Sequence, residues 1–183
     1  ATPVERAFAA RTLLLSNPAE PQTLDPHLVS AATEFDLVVA FFEGLCVLDE
    51  RTAQPQPAAA ERWEVSADGL TYTFHLRAGL RWSDGSPLTA ADFVASWRRA
   101  LSPALAAEYA YLLYPLQNAE AINQGRETDV TRLGAEALDD RTLRVRLERP
   151  TPYLPALTAL PVWMPVPVAA LARHGAVDER GTD

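Results

Sequence analysis

The sequence predicts a mixed α/β (α+β) fold, and three observations carry that prediction. Two stretches, residues 70–77 and 143–148, alternate apolar with polar side chains, the pattern of a strand buried on one face. Between them, Phe93, Val94, Trp97 and Leu101 recur at helical spacing behind Thr89, a residue suited to capping a helix. At 183 residues and 48% hydrophobic composition, the chain can bury a real core, enough for one domain or one domain and part of a second.

Taken in order, the elements have local causes. After a polar leader, Thr12-Leu13-Leu14-Leu15-Ser16 reads as a short buried strand. Pro18, Pro21 and Pro26 then hold the chain extended or in turns, which makes Thr23-Leu24-Asp25-Pro26-His27 a loop. Thr33 is the expected cap of a helix, with Asp36 reaching back to it and Phe35, Val38, Val39 and Phe42 as its apolar stripe. Gly44 is the expected C-terminal cap. A strand over residues 45–48 follows, then Gln54-Pro55-Gln56-Pro57, which reads as an extended connector.

A hairpin comes next: Trp63-Glu64-Val65, the turn Ser66-Ala67-Asp68-Gly69, and the alternating strand over residues 70–77. Pro87 stops the following turn. Thr89, with Asp92 at the capping-box position, then starts the amphipathic helix, which ends on Arg98 and Arg99, the charge that complements a helix C-terminus. Tyr109, Tyr111 and Tyr114 cluster with Leu112, Leu113 and Leu116 ahead of a short helix near residues 119–122, which Gly125 stops. A second hairpin is written by residues 135–138, the turn Asp139-Asp140-Arg141, and Leu143, Val145 and Leu147. Helices are expected at residues 153–160, despite Pro155, and at 168–174.

Composition removes several function classes. The formal charge is −8, so nucleic acid and an anionic membrane surface are unsuitable partners. All the basic residues are arginine. Cys46 is the only cysteine, which rules out an intramolecular disulfide, and its neighbours Leu45 and Val47 mark it as a small buried hydrophobe. No apolar run approaches the roughly 20 residues of a membrane-spanning helix. The opening Ala1-Thr2-Pro3-Val4-Glu5-Arg6 has no initiator Met and no signal-peptide core, and reads as a chain from which any leader has been removed.

Catalytic and cofactor patterns are also missing from the reading. His27, His75 and His174 stand at no metal-ligand spacing from one another or from Cys46, and the isolated glycines build no phosphate loop. No metal, cofactor or catalytic residue is expected. The carboxylate pairs Asp49-Glu50, Asp139-Asp140 and Asp178-Glu179 lie in turns or at an end, where adjacent side chains point apart; Ser83 lacks the frame of a nucleophile elbow. Trp63, Trp82, Trp97 and Trp163 read as core anchors, while the tyrosines at 109, 111 and 114 are candidates for lining a cleft.

Several of these segments also stand in a familiar order. Ser16-Asn17, Thr23-Leu24-Asp25-Pro26-His27, Phe42-Glu43-Gly44-Leu45, Ala60-Glu61-Arg62-Trp63, Tyr72-Thr73-Phe74-His75-Leu76-Arg77, and Arg81-Trp82-Ser83-Asp84-Gly85 running on to Trp97 are followed by Tyr109-Ala110, Leu133-Gly134, Asp139-Asp140-Arg141-Thr142-Leu143 and Pro150-Thr151-Pro152-Tyr153. Over nearly the whole chain this resembles the periplasmic oligopeptide-binding proteins, extracellular solute-binding protein family 5, the receptors of bacterial ABC peptide importers. The resemblance implies a periplasmic-binding-protein type II-like fold, here a partial first lobe plus a small mixed-sheet domain. Residues 1–44 would form the first segment of ligand-binding lobe I, 45–165 a small α/β domain packed on it, and 166–183 the start of the return to lobe I.

The same resemblance implies a non-catalytic receptor that holds short peptides by main-chain hydrogen bonds between two lobes. Ser30, Ala31 and Ala32 match the segment beside the bound peptide, and Tyr109 a pocket-lining aromatic. The family often carries an acidic residue and a glycine where Ser30 and Ala31 stand, which implies a changed ligand preference. Implied partners are short peptides and the permease and ATPase subunits of an ABC transporter. The implied location is the periplasm, or the outer face of the membrane for a tethered secreted form. The family is considerably longer, so this portion alone is expected to bind weakly. The alternatives are a receptor for a dipeptide, nickel chelate or haem, or a stand-alone interaction module that self-associates through the surface the missing lobe would cover.

Overall fold

A computed structural model describes residues 2, 6, 10–12 and 19–173. The strand expected at residues 12–16 lies outside them except for Thr12, as do His174 and the pair Asp178-Glu179. The elements are α1 (Ala32–Phe41), β1 (Cys46–Leu48), β2 (Pro55–Pro57), β3 (Ala60–Val65), β4 (Thr71–Leu76), α2 (Ala90–Ala100), α3 (Ala119–Asn123), β5 (Ala135–Ala137), β6 (Thr142–Arg146), α4 (Leu154–Leu157) and α5 (Val168–Arg173). Single 3-10 turns stand at Ala110–Leu113, Val130–Arg132 and Pro161–Trp163.

The two expected hairpins form and join into one four-stranded sheet, in the order β3-β4-β6-β5. The α/β character holds, and every described pairing is antiparallel; β4 and β6 are neighbours although the chain between them runs through α2, α3 and β5. Register explains the core. Tyr72 lies opposite Val145 and Phe74 opposite Leu143, so the apolar halves of both alternating strands share one face. That face is buried together with Ala90, Phe93 and Trp97 of α2. The opposite face carries Thr71, Thr73 and His75 across from Arg146, Arg144 and Thr142.

Helix α2 begins as its sequence requires. The Asp92 carboxylate accepts from the Thr89 backbone N–H at 2.7 Å and from its hydroxyl at 2.9 Å, satisfying a donor that the first turn leaves without an intrahelical partner. Helix α1 begins differently. It starts at Ala32, and Ala31 at the cap position has no side-chain acceptor. Glu34 supplies one from inside the helix, accepting from the N–H groups of Gln22 at 2.8 Å, Ala31 at 3.3 Å and Ser30 at 3.4 Å. Burial pushes the Glu34 carboxyl up, but the backbone N–H groups of Gln22, Ala31, Ser30 and Thr23 outweigh it and hold the group below its ordinary range. The Thr33 and Asp36 cap is thus replaced by Glu34, whose decisive partner at Gln22 comes from a separate loop.

Two further expectations are revised. Gln54-Pro55-Gln56-Pro57 is a strand, not a connector: Asp49 N–H donates to the Gln54 carbonyl and Ala58 N–H to that of Leu45, with Val47 paired to Gln56 between them. Pro55 and Pro57 occupy the alternate positions, where an antiparallel ladder needs no N–H. Gly44 is not a left-handed cap either. A Cβ there would lie 2.2 Å from the Thr158 carbonyl oxygen, so glycine is required by close approach of two backbones.

Helix α2 also holds the chain on either side of it. The Trp97 indole N–H donates to the Trp163 carbonyl at 2.9 Å, with the two rings edge to face at 5.1 Å. Ser96 Oγ accepts from Val166 N–H at 2.9 Å and donates to the Asp92 carbonyl at 2.7 Å. Arg99 grips the loop before α1: its Nη2 donates to Asp25 Oδ2 at 2.5 Å and its Nη1 to Asp25 Oδ1 at 3.2 Å and His27 Nδ1 at 2.8 Å. Arginine only donates, so His27 Nδ1 is an acceptor and the ring proton sits on Nε2, which donates to the Met164 carbonyl at 3.1 Å. Both arms of this clamp end on residues 163–166. A small second core of Val29, Val38 and Met164 lies beyond it, separate from the main core.

Two measurements check this architecture. Gly44→Ala is expected to cost about 3 kcal/mol or more in urea unfolding, because neither backbone can retreat. Gly79→Ala, at φ 76° with nothing within 4 Å, is expected to cost only about 1 kcal/mol; equal losses would contradict the close-approach reading. The second concerns pH. His27 is pushed down to about 4, chiefly by burial, with Asp25 opposing and Arg99 reinforcing the shift. The unfolded chain titrates this group near 6.5 and so binds the extra proton between those values. Stability contributed by neutral His27 is therefore complete above about pH 6.5 and falls as pH drops toward 4, at up to about 1.4 kcal/mol per pH unit. His27→Gln is expected to flatten that slope in denaturation series run across this window.

Candidate functional site

The site is built at the junction that the clamp creates. Residues 26–32, the first turns of α1, the 3-10 turn Ala110–Leu113 with its preceding Tyr109, and residues 160–162 enclose one open cleft of about 410 Å³. Ser30, Ala31, Ala32 and Tyr109, the four residues singled out in the sequence, all line it. The remaining wall is apolar, formed by Val29, Phe35, Leu112, Leu160, Pro161 and Val162. Asp36 is its single ionisable carboxylate among the described residues.

Each wall has a reason to be where it is. Leu112 stands three residues after Tyr109 on a 3-10 turn, so both side chains project to the same side. Residues 160–162 are set by the Trp97 bond to Trp163, and residues 26–31 by Arg99 on Asp25 and by Glu34 on the Ser30 and Ala31 amides. With those two amides engaged, the carbonyls of Val29 and Ser30 accept no hydrogen bond among the described residues. Two residues that line the cleft thus carry main-chain acceptors left without a partner among the described residues.

The α1 stripe is the other surprise. Val38 is fully buried, yet Phe35, Val39 and Phe41 are 39%, 44% and 68% exposed. Phe35 divides its exposed surface between the cleft and a second groove, of about 370 Å³, shared with Val39, Phe42, Val47 and Leu160.

The other polar candidates have structural partners. Asp49 accepts from Thr52 and Arg51, and Asp139 from Arg141 N–H at 2.8 Å; these bonds hold both carboxyls below their ordinary range. Ser83 sits in a turn closed by Gly85 N–H on the Trp82 carbonyl. Cys46 is buried, which pushes its thiol up. Among the described residues no three His, Cys, Asp or Glu are placed to hold one metal ion, and no helix is long and apolar enough to cross a membrane.

Sequence reasoning missed Phe35 as a cleft residue and the whole wall at 160–162. It also missed the Asp25, His27 and Arg99 cluster, having read Arg99 only as a helix-end charge. The spacing of Tyr109 and Leu112 was a usable signal; for the others, separated by some seventy residues or more, there was none.

Comparison with known proteins fits this geometry. Residues 54–182 match the family model described as bacterial extracellular solute-binding proteins, family 5 Middle. The chain is 49% identical over 162 residues to the probable deoxycholate-binding periplasmic protein YgiS of Escherichia coli strain K12, covering 87% of this chain and 30% of that one. It is 42% identical over 167 residues to the periplasmic oligopeptide-binding protein OppA of the same strain, covering 90% and 30%. The crystal structure of Haemophilus influenzae OppA in complex with RPPGFSPFR superposes with a TM-score of 0.83 at 40% identity, covering 88% of this chain and 31% of that chain. The chain thus spans about 30% of the length of these relatives. With the family model matched over most of its length, the chain belongs to the family 5 bacterial extracellular solute-binding proteins.

Proposed function

We propose that the chain is the N-terminal portion of a non-catalytic solute receptor that captures short peptides for an ABC importer, and that the cleft at residues 30–32 and Tyr109 is this portion's share of the peptide site. The observation that carries the proposal is the joining of those four residues in one cleft whose rim residues Val29 and Ser30 have carbonyls that accept no hydrogen bond among the described residues. An extended peptide placed there would donate its own N–H groups to that rim, while its side chains rest against Phe35, Leu112 and Val162. The E. coli and H. influenzae relatives are named as oligopeptide-binding proteins, one of them in complex with a peptide.

The division of the chain is part of the proposal. Residues 1–44 belong to lobe I, 45–165 to a small domain packed on it, and 166–183 to the return. The main core, whose fully buried members run from Leu45 to Trp163, supports the 45–165 unit, and Val29 and Val38 form a separate core against which Met164 of that unit packs. A second lobe then closes the cleft from the far side, and the permease and ATPase subunits receive the loaded receptor at the outer face of the membrane, in the periplasm.

A second reading concerns the ligand. The cleft wall is almost wholly apolar, and the relative at 49% identity is named as probably binding deoxycholate, so an amphipathic steroid acid would suit the same walls. Among the described residues no His, Cys or Met lines the cleft, so these offer no direct ligand to the metal of a nickel chelate or haem.

Calorimetric titration of a mixed short-peptide library, and separately of deoxycholate, tests both. The titrations use the 183-residue chain and a two-lobe receptor containing it. Peptides are expected to bind the two-lobe receptor, with Tyr109→Ala weakening them about tenfold and the chain alone weaker still, because half the contacts are absent. Deoxycholate binding without peptide binding would replace the first reading by the second. Equal affinity for peptide in the chain and the two-lobe receptor would contradict the requirement for a second lobe.

A further inference from the structure

Helix α2 presents a second row away from the clamp. Ala91, Val94, Ala95 and Arg98, spaced i, i+3, i+4 and i+7, line an open cleft of about 550 Å³ together with β5, Arg132, and Arg144 and Arg146 of β6. Four of the sixteen arginines of a chain with net charge −8 meet here. Among the described residues the one acidic side chain lining the cleft is Glu136. It is engaged by Arg144 at 2.6 Å and Arg146 at 3.8 Å, while Arg132 pairs with Glu127 at 2.6 Å.

Arg98 is the exception. It is only partly exposed, and no hydrogen bond or ion pair to its side chain occurs among the described residues. Its Nε is buried without a partner, and so is the Nε of Arg144 on the other side of the cleft. Asp129 feels the Arg98 charge but is bonded instead to the backbone N–H and hydroxyl of Thr131 at 2.9 and 2.5 Å. A position at the helix C-terminus accounts for a positive charge at 98, but not for two buried donors left unmatched in one cleft, since buried N–H groups are normally paired.

We propose that this cleft is an anion site, distinct from the peptide cleft, that binds a small organic phosphate, with Arg98 as its principal anchor and Arg144 and Arg132 beside it. Guanidinium groups match phosphate oxygens in paired hydrogen bonds. The volume fits a small organic ligand rather than a bare ion, since ligand clefts run from roughly 300 to 1,000 Å³. Val94, Ala91 and Ala135 supply the surface for its apolar part. The phosphate could arrive on a free metabolite-sized molecule or on a lipid headgroup; both present the same oxyanion.

Phenyl phosphate titrated into the 183-residue chain at low ionic strength, followed by backbone amide NMR shifts, provides the test. Saturable shifts are expected at residues 91–98 and 131–137, with phenol producing none. Arg98→Gln is expected to weaken the affinity about tenfold and Arg98→Lys less, whereas Arg81→Gln, in the distant 81–87 turn, leaves it unchanged. Sedimentation with phosphatidylglycerol against phosphatidylcholine vesicles separates the sources: capture by the former alone, reversed by phenyl phosphate, assigns a headgroup, and no capture assigns a free ligand. Absence of saturable shifts in the folded chain, or equal affinity of the Arg98→Gln and parent chains, would overturn the proposal.

Discussion

The hydrogen bond from the Trp97 indole to the Trp163 carbonyl, with its neighbours at Ser96 and Arg99, is the constraint on which the arrangement of this chain depends. Residues 163–166 follow the sheet by a long stretch of chain and have no strand pairing of their own to place them. They are placed because one face of α2 reaches them twice, through Trp97 and Ser96, while Arg99 and His27 bring the loop before α1 onto Met164. All of these bonds are shielded from water, at least in part, where breaking one leaves an unmatched polar group. The two cores therefore share one boundary, at Trp163 and Met164. The cleft of Ser30, Ala31, Ala32 and Tyr109 opens along it.

That placement has a functional consequence. The cleft has largely apolar walls beside the backbone of residues 29–32, surfaces against which the proposed peptide would rest. It is also open, and the Phe35 and Val39 side of α1 is exposed beside it. Apolar stripes of this kind are costly in water unless something covers them. In the proposed receptor the remainder of the relatives' length, about 70% of it, supplies both the cover and the opposing wall.

Much of the fold was legible because its causes are local. The alternation around Phe74 and Leu143, the Thr89 and Asp92 cap, and the turns at Gly69 and Gly125 each need only neighbours in sequence. What was not legible depends on distant partners. Glu34 displaced the expected Thr33 cap because Gln22 lies within its reach, Gly44 answers to Thr158, and Pro55 and Pro57 form a strand because their missing donors fall on the positions that need none. The proposed binding cleft was reached through family resemblance; its residues carry no chemical signature of their own. Small side chains at 30–32 and one tyrosine look like any loop until the walls at 112 and 160–162 are placed against them.

Amide hydrogen exchange on Arg99→Met against the parent chain tests the role of the clamp most directly. Removal of the guanidinium frees Asp25 and His27 while leaving the sheet untouched. Exchange is expected to accelerate at Gln22, Ser30, Ala31 and Val166, with the amides of β4 and β6 keeping their protection. Acceleration spread evenly over the chain, or unchanged protection at Ser30 and Ala31, would contradict the claim that α2 positions the ligand cleft.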